Sequence, residues 1–145
     1  MLRYPYVITV TSDEEYIATF EDFEGLTVLG QSIDQLKYRL PEILLERCAL
    51  IARSKKHIPL PSPIPEGAHF VTLDMITVLK IHLNNLLVEH GMSAMTLAKR
   101  ASMTTSADMT VMAAADFHHK STATSMCFAL AQFEVYPEIV LKKLT

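Results

Sequence analysis

The sequence predicts an α+β fold, in which a β-β-β-α-β unit is followed by an all-α unit. Segments with the composition and period of strands fill most of the first 30 residues, and one more follows at 69–73. Between them, apolar residues recur at helical spacing through about residue 53. From about residue 74 onward, the periodic segments have helical spacing. A single sheet must bury one face, so we expect the long helix to pack across it.

The first three strands are predicted close to the N-terminus. YPYVITVT at 4–11 is rich in β-branched and aromatic residues and ends at a Ser-Asp pair that favours a turn. EYIATF at 15–20 places alternate side chains on opposite faces. These two segments predict a hairpin. Gly25 and Gly30 bracket LTVL, which predicts a short third strand.

A long amphipathic helix is predicted to follow. Ser32 and Gln35 have the spacing of a capping box, and the helix is expected to reach about Arg53. Pro41 lies inside it and predicts a kink or a break near residue 40. The apolar positions at helical spacing are Ile33, Leu36, Leu40, Ile43, Leu44, Cys48 and Ile51.

A proline-rich segment, SKKHIPLPSPIPEG at 54–67, lies near the end of the first unit. It holds four of the seven prolines of the chain, at alternate positions, which favours an extended polyproline-like path. Two interpretations stay open: a stiff spacer between the units, or a segment docked on the sheet. HFVTL then predicts the fourth strand, so we expect two domains, 1–73 and 74–145.

The second unit contains a pattern typical of a helix-turn-helix. TLAKRASM at 96–103 precedes a short turn and a further helix, the order in which one helix supports another that enters the major groove. The second helix, however, lacks the side chains that pair bidentately with bases, and it carries Asp108 and Asp116. Plain helix packing, with association but no DNA reading, therefore stays open. The predicted DNA contacts are Lys99, Arg100, Thr104, Thr105, Ser106, Thr110 and Lys120.

The charge distribution predicts a basic partner for the first unit. Residues 1–67 hold seven Lys and Arg against ten Asp and Glu, whereas residues 68–145 hold six of each. Between Arg3 and Lys37 there is no cation. Such a surface attracts a basic protein and repels nucleic acid. The small size of each unit also predicts association with itself or with a partner. The acidic run consists of Asp13, Glu14, Glu15, Glu21, Asp22 and Glu24.

No catalytic, metal-binding or cofactor-binding pattern is found in the sequence. His118 and His119 are adjacent, so both cannot face one metal ion from a single helix. A magnesium-dependent nuclease is disfavoured because the acids crowd into the turns of one hairpin. Cys48 and Cys127 have no ligand-like spacing and predict free thiols in a reducing cytoplasm. No apolar run is long enough to span a bilayer, so a membrane is not an expected partner.

The order of several residues resembles the HicB antitoxin family. EEYIATFEDFEGLTVLGQSIDQL carries the resemblance, and the proline-rich IPLPSP and the TLAKR segment extend it along nearly the whole chain. The matching positions are Tyr16, Ala18, Phe20, Asp22, Gly25, Gly30 and Ser32.

The resemblance implies a fold and a function. It implies a partial ribonuclease-H-like unit without the nuclease carboxylates, joined to a DNA-binding and dimerising helix-turn-helix domain. It further implies a non-enzymatic protein that masks a small basic HicA-type toxin, an mRNA-cleaving ribonuclease, and that represses its own operon as a dimer or higher oligomer. The residues expected to contact the toxin are Tyr16, Phe20, Glu21, Asp22, Phe23 and Glu24.

Overall fold

The computed structural model describes residues 2–100, 116–118, 120–138 and 140–141. Within these residues, strands come first and helices dominate the second half, as the predicted α+β class requires. The elements are β1 (Arg3–Val10), β2 (Tyr16–Phe20), β3 (Thr27–Gly30), α1 (Ile33–Arg53), β4 (His69–Thr72), α2 (Met75–Glu89), α3 (Ala94–Arg100) and α4 (Ala123–Ala131).

The four strands form one antiparallel sheet in the order β3-β2-β1-β4. Tyr6 pairs with Phe20 across the first hairpin, and Ile17 pairs with Leu29 across the second. The chain then crosses the sheet through α1 and returns at the opposite edge as β4. The predicted β-β-β-α-β order is therefore confirmed.

Helix α1 covers one face of this sheet. Its buried side chains meet the inward-pointing residues of the strands, including Tyr4, Tyr6 and Val28. Each aliphatic side chain buried in this way stabilises the fold by roughly 1.5–3 kcal/mol. The buried residues of the helix are Leu36, Leu40, Leu44, Cys48 and Ala49.

The start of α1 is fixed by a cap and by a close approach to the sheet. The Ser32 hydroxyl accepts a hydrogen bond from the Gln35 amide at 3.1 Å, and the Gln35 side chain accepts one from the Gln31 amide at 2.7 Å. A Cβ at Gly30 would lie 2.8 Å from the Leu36 side chain. Glycine at this position therefore lets the helix pack tightly against β3.

Of the kink or break predicted near Pro41, the break is wrong, because α1 remains helical from Ile33 to Arg53 with Pro41 inside it, and the kink stays a prediction. Proline removes the hydrogen bond to the carbonyl of Lys37. Both residues lie on the exposed side of the helix, where water can satisfy that carbonyl. The buried apolar face continues on both sides of this position and holds the helix together.

The proline-rich segment is docked rather than a free spacer. Ile58 is completely buried and belongs to the same core as the sheet and α1. The Tyr4 hydroxyl donates to the Pro59 carbonyl at 2.8 Å. Of the two interpretations left open by the sequence, docking on the first unit is the one that the structure shows, and the spacer interpretation is wrong.

A second apolar cluster lies among α2, α3 and α4. Helix α2 contacts both clusters, since Ile81 belongs to the first and Leu83 to the second. We retain residue 73, at the end of β4, as a proposed domain boundary. Among the described helices, none combines the length and the hydropathy that a membrane span requires. The buried members of the second cluster are Leu79, Leu83, Leu87, Leu97, Ala98, Met126, Ala129 and Leu130.

Candidate partner-binding surface

The turn between β2 and β3 carries three of the acidic residues of the chain and is held in place by its neighbours. The Asp22 carboxylate accepts hydrogen bonds from both the amide (3.0 Å) and the hydroxyl of Ser62. The Leu26 amide donates to the Phe23 carbonyl at 3.0 Å, and Gly25 takes the left-handed conformation at φ +72°. This turn therefore presents its remaining acids from a fixed backbone.

The predicted toxin-contact residues of this hairpin have two different environments. Glu21 and Glu24 are exposed. Phe20 and Phe23 are buried, with only 5% and 3% of their surface exposed, and their ring centroids are 6.3 Å apart in an edge-to-face arrangement. These two aromatic residues thus support the turn from inside the core.

Asp22 and Tyr16 also have partners within the chain. Asp22 is half-buried and binds Ser62, so it anchors the proline-rich segment. Tyr16 is half-buried and packs against the core. Direct contact of Tyr16, Phe20, Asp22 or Phe23 with a partner stays a prediction. The two exposed glutamates are the most accessible members of the set in this conformation.

A second acidic turn lies at the other end of the hairpin, between β1 and β2. Asp13, Glu14 and Glu15 are all exposed there. The Thr11 amide donates to the Glu15 carbonyl at 2.8 Å and closes the turn. Since β2 has 5 residues, the two acidic turns are separated by about 17 Å of strand.

Between these turns lies the face of the sheet that α1 does not cover, here called the open face. Register places Val7 beside Thr19 and Thr19 beside Thr27, with Ile17 beside Leu29 in the next row. Val7, Leu29 and Phe70 are 62%, 54% and 43% exposed. The open face consists of Arg3, Pro5, Val7, Thr9, Ile17, Thr19, Thr27, Leu29, Phe70 and Thr72.

Arg3 lies at one corner of the open face. Its guanidinium group is 5.2 Å from the centroid of the Phe70 ring, in the geometry of a cation-π contact. The other residues of the open face are uncharged. Its centre is therefore neutral and its two ends are acidic.

An extended segment at 56–62, here called the strap, joins this surface to the helical half. Asn85 accepts from the Ile58 amide at 2.8 Å and donates to the Ile58 carbonyl at 2.9 Å, while Asn84 donates to the Lys56 carbonyl at 3.0 Å. At its other end the strap binds Asp22 through Ser62. The strap thus connects the turn that bears Glu21 and Glu24 with helix α2.

The sequence did not predict that Asn84 and Asn85 bind the strap. It does contain a signal for a buried polar contact, because the two asparagines interrupt an otherwise apolar helical segment and buried amides need hydrogen-bonding partners. Both side chains are buried, at 6% exposure each. Their partners, however, are backbone groups 27 or more residues earlier in the chain. A single sequence does not identify such distant partners.

The predicted DNA contacts are only partly within the described residues. Lys99 is exposed on α3, and Lys120 is exposed shortly before α4. Arg100 is the last residue of α3. Leu97 and Ala98 bury the inner side of α3. Thr104, Thr105, Ser106 and Thr110 lie outside the described residues, and so does the second helix of the predicted helix-turn-helix.

Two further ionisable groups lie on α2. Lys80 is almost completely buried, and its ammonium group donates to the Asp116 carbonyl at 2.6 Å. Burial lowers the pKa of Lys80, against an opposing attraction from Asp116 and Asp74. Burial also lowers the pKa of His82.

Among the described residues, no three His, Cys, Asp or Glu side chains come together as a metal site would require.

Comparison with known proteins identifies relatives of this chain. Residues 3–82, more than half of the chain, match the model of a family described as HicB-like antitoxins of bacterial toxin-antitoxin systems. Over 99 residues the chain is 24% identical to Antitoxin HicB of Escherichia coli strain K12, an alignment that covers 68% of this chain and 72% of that protein. Antitoxin HicB of Escherichia coli O157:H7 matches with the same identity and coverage.

Proposed function

The chain belongs to the HicB-like antitoxin family, and from this premise we propose that it binds and masks a small basic HicA-type ribonuclease in the cytoplasm. The observation that carries the proposal is the extent of the family match. Residues 3–82 include the whole sheet, both acidic turns, α1 and the strap. The matching part is therefore the part that presents acidic side chains to a partner.

The exposed acids support a cationic partner. Glu21 and Glu24 project from one turn, and Asp13, Glu14 and Glu15 from the other. Complementary charges of this kind raise the association rate and align two proteins before they dock. Inhibition by this protein needs no chemistry of its own, because a bound partner whose active site is covered cannot reach RNA. We therefore propose a non-enzymatic antitoxin.

We further propose that the helical half binds operator DNA and represses transcription of its own operon. Exposed Lys99 and Lys120 are suited to phosphate contacts, and the buried Leu97 and Ala98 seat α3 firmly against its neighbours. Arg100 and the four hydroxyl residues at 104, 105, 106 and 110 complete the proposed DNA-binding set.

Self-association of the helical half is part of the same proposal. Met95, Phe128 and Tyr136 expose 52%, 45% and 75% of their surface in the single chain. Met95 lies on α3, Phe128 lies on α4 and Tyr136 follows α4, and exposed side chains of this kind favour a dimer or a higher oligomer. The alternative is that the helical half associates with itself and does not bind DNA. In that case the protein forms oligomers in solution, and operator DNA does not shift in a gel.

Co-expression tests the antitoxin function directly. A HicA-type protein from the same genome, produced alone, should arrest growth, and this chain should restore growth and co-purify with it at about 0.1 M salt. The yield of the complex should fall as salt rises, since screening weakens attraction between exposed charges. Continued growth arrest with no co-purification would refute the function.

A further inference from the structure

We propose that the open face of the sheet, framed by its two acidic turns, is the surface on which the cationic toxin docks. This inference rests on the proposed antitoxin function. It adds which face of the α/β unit contacts the toxin. One face of the sheet is already filled by α1, so the surfaces left for a partner include the open face, the two edge strands and the outer side of that helix.

The apolar character of the open face is the first observation. In an antiparallel sheet with one solvated face, the outward side chains are normally polar. Here Val7, Leu29 and Phe70 point outward with 43–62% of their surface exposed, with Thr19 between Val7 and the third strand and the buried Pro5 between Val7 and Phe70. A contiguous exposed surface of this kind is typical of a protein interface, in which an apolar centre is surrounded by a polar rim.

The charges at the two ends are the second observation. Asp13, Glu14 and Glu15 lie beyond one end of the strands, and Glu21 and Glu24 beyond the other. The centre of the open face carries no charged side chain. Docking there therefore avoids the free-energy cost of burying an unpaired charge. A protein with a flat apolar patch between two basic rims fits both features at once.

The outer side of α1 fits a cationic partner less well than the open face. Lys37 is exposed there close to Tyr38, which is 87% exposed, and Asp34, Glu42 and Glu46 are exposed on the same helix. Arg39 reaches the edge of the sheet, where it donates to the Leu29 carbonyl at 3.0 Å. A basic protein that approached this side would meet charges of both signs, which select it less well than acidic residues alone. The open face has one cation, Arg3, and that residue lies at its corner against Phe70.

A second copy of this chain fits the open face less well than a basic protein. Sheets that pack face to face commonly align their strands within about 30°. Two copies packed in this way would place the acidic turns of one sheet against acidic turns of the other. The resulting repulsion selects a partner of opposite charge.

Lysine substitution on the open face tests the proposal. The probe is a catalytically inactivated HicA-type protein from the same genome, titrated against the full chain. Val7→Lys and Thr19→Lys should each raise the Kd at least about tenfold, because they place a cation inside the desolvated centre of the interface. Tyr38→Lys is the matched control on the opposite layer and should leave the Kd within about twofold.

Cysteine footprinting gives a second readout that does not depend on introducing charge. Thr19→Cys should react with a maleimide in the free chain and be protected in the complex, whereas Tyr38→Cys should react in both. The two native cysteines are distinguished by mass spectrometry of their peptides, and Cys48 is buried.

The possible outcomes separate this inference from the function on which it rests. If the unaltered chain does not bind the toxin, both proposals fail. If it binds and the open-face variants bind equally well, or if Tyr38→Cys is the protected position, the antitoxin function stands and the docking surface is wrong. A change of oligomeric state in Val7→Lys, with unchanged toxin affinity, would assign the open face to self-association and would also overturn the proposal.

Discussion

The side chain of Asn85 binds both backbone groups of Ile58, with its Oδ1 2.8 Å from the amide nitrogen and its Nδ2 2.9 Å from the carbonyl oxygen. A single amide side chain thus replaces the strand neighbour that Ile58 lacks. Because Ile58 is completely buried, both of its backbone groups depend on this residue. At the boundary between the sheet and the helical half, Asn85 therefore binds the buried residue of the strap, and Asn84 binds the Lys56 carbonyl beside it.

Asn85→Ala is predicted to destabilise the protein by about 2–3 kcal/mol, since it leaves a buried amide and a buried carbonyl without partners. Urea unfolding followed by circular dichroism measures the change. Gln132→Ala is the matched control, because its amide makes only a 3.4 Å contact with the Phe128 carbonyl at an exposed site. The control should cost less than about 0.5 kcal/mol. Equal losses in the two variants would show that the strap is not held by Asn85.

Gly30→Ala is predicted to destabilise the protein by about 1–3 kcal/mol, because the new methyl group would lie 2.8 Å from the Leu36 side chain. Leu36→Ala, which leaves a cavity, should cost about 2–5 kcal/mol. In the double variant the new methyl group has room, so the combined loss in unfolding free energy should be smaller than the sum of the two single losses. Strict additivity would contradict the close packing of α1 on β3.

Stability is predicted to fall in alkaline solution through Cys48. Burial raises the pKa of this thiol from 9.0 to about 12. Between these values the unfolded chain loses the proton and the folded chain keeps it, so the folded state binds more protons and the free energy of unfolding decreases as pH rises. Between these two pH values, ionisation of this thiol lowers the free energy of unfolding by about 1.4 kcal/mol per pH unit.

Cys48→Val removes this contribution and, with it, the part of the raised pKa of Tyr4 that comes from the Cys48 charge. Tyr4 acts in the same direction, since burial also raises its pKa, whereas Lys80 acts in the opposite direction. The difference in unfolding free energy between wild type and Cys48→Val should therefore shift with pH above about 9 and stay constant below it. A difference independent of pH from 7 to 11 would contradict the burial of the thiol.

Lys99→Ala and Lys120→Ala are predicted to weaken operator binding and to reduce its salt dependence. Each phosphate contact that is lost should lower the slope of log K against log salt by about 1. Lys55→Ala is the control, because Lys55 is an exposed lysine that belongs to the first unit. Gel shift at several salt concentrations measures the effect. Absence of any shift with the unaltered chain would favour a helical half that only associates.

Local patterns predicted the elements of the first unit because short-range chemistry decides them. The alternation in EYIATF, the Ser32 cap and the helical spacing after it all depend on residues a few positions apart, and each prediction agrees with β2 and α1. The break at Pro41 failed because tertiary packing of the buried face outweighs the loss of one hydrogen bond.

The surface was less predictable than the fold. Phe20 and the acidic residues of its turn are neighbours in the sequence, but strand alternation does not tell which of these side chains are buried in the core. Phe23 follows the strand and still turns inward to pack on Tyr4, with ring centroids 5.0 Å apart. The open face, likewise, becomes visible only when four strands and their register are known.

The most direct measurement is RNA cleavage by a purified HicA-type toxin from the same genome, titrated with this chain at low and high salt. Cleavage should stop at a fixed molar ratio in about 0.1 M salt, and more antitoxin should be needed as salt rises. Glu21→Lys combined with Glu24→Lys should weaken the inhibition, while the chain itself should cleave no RNA. Undiminished cleavage in the presence of excess folded chain would contradict the account.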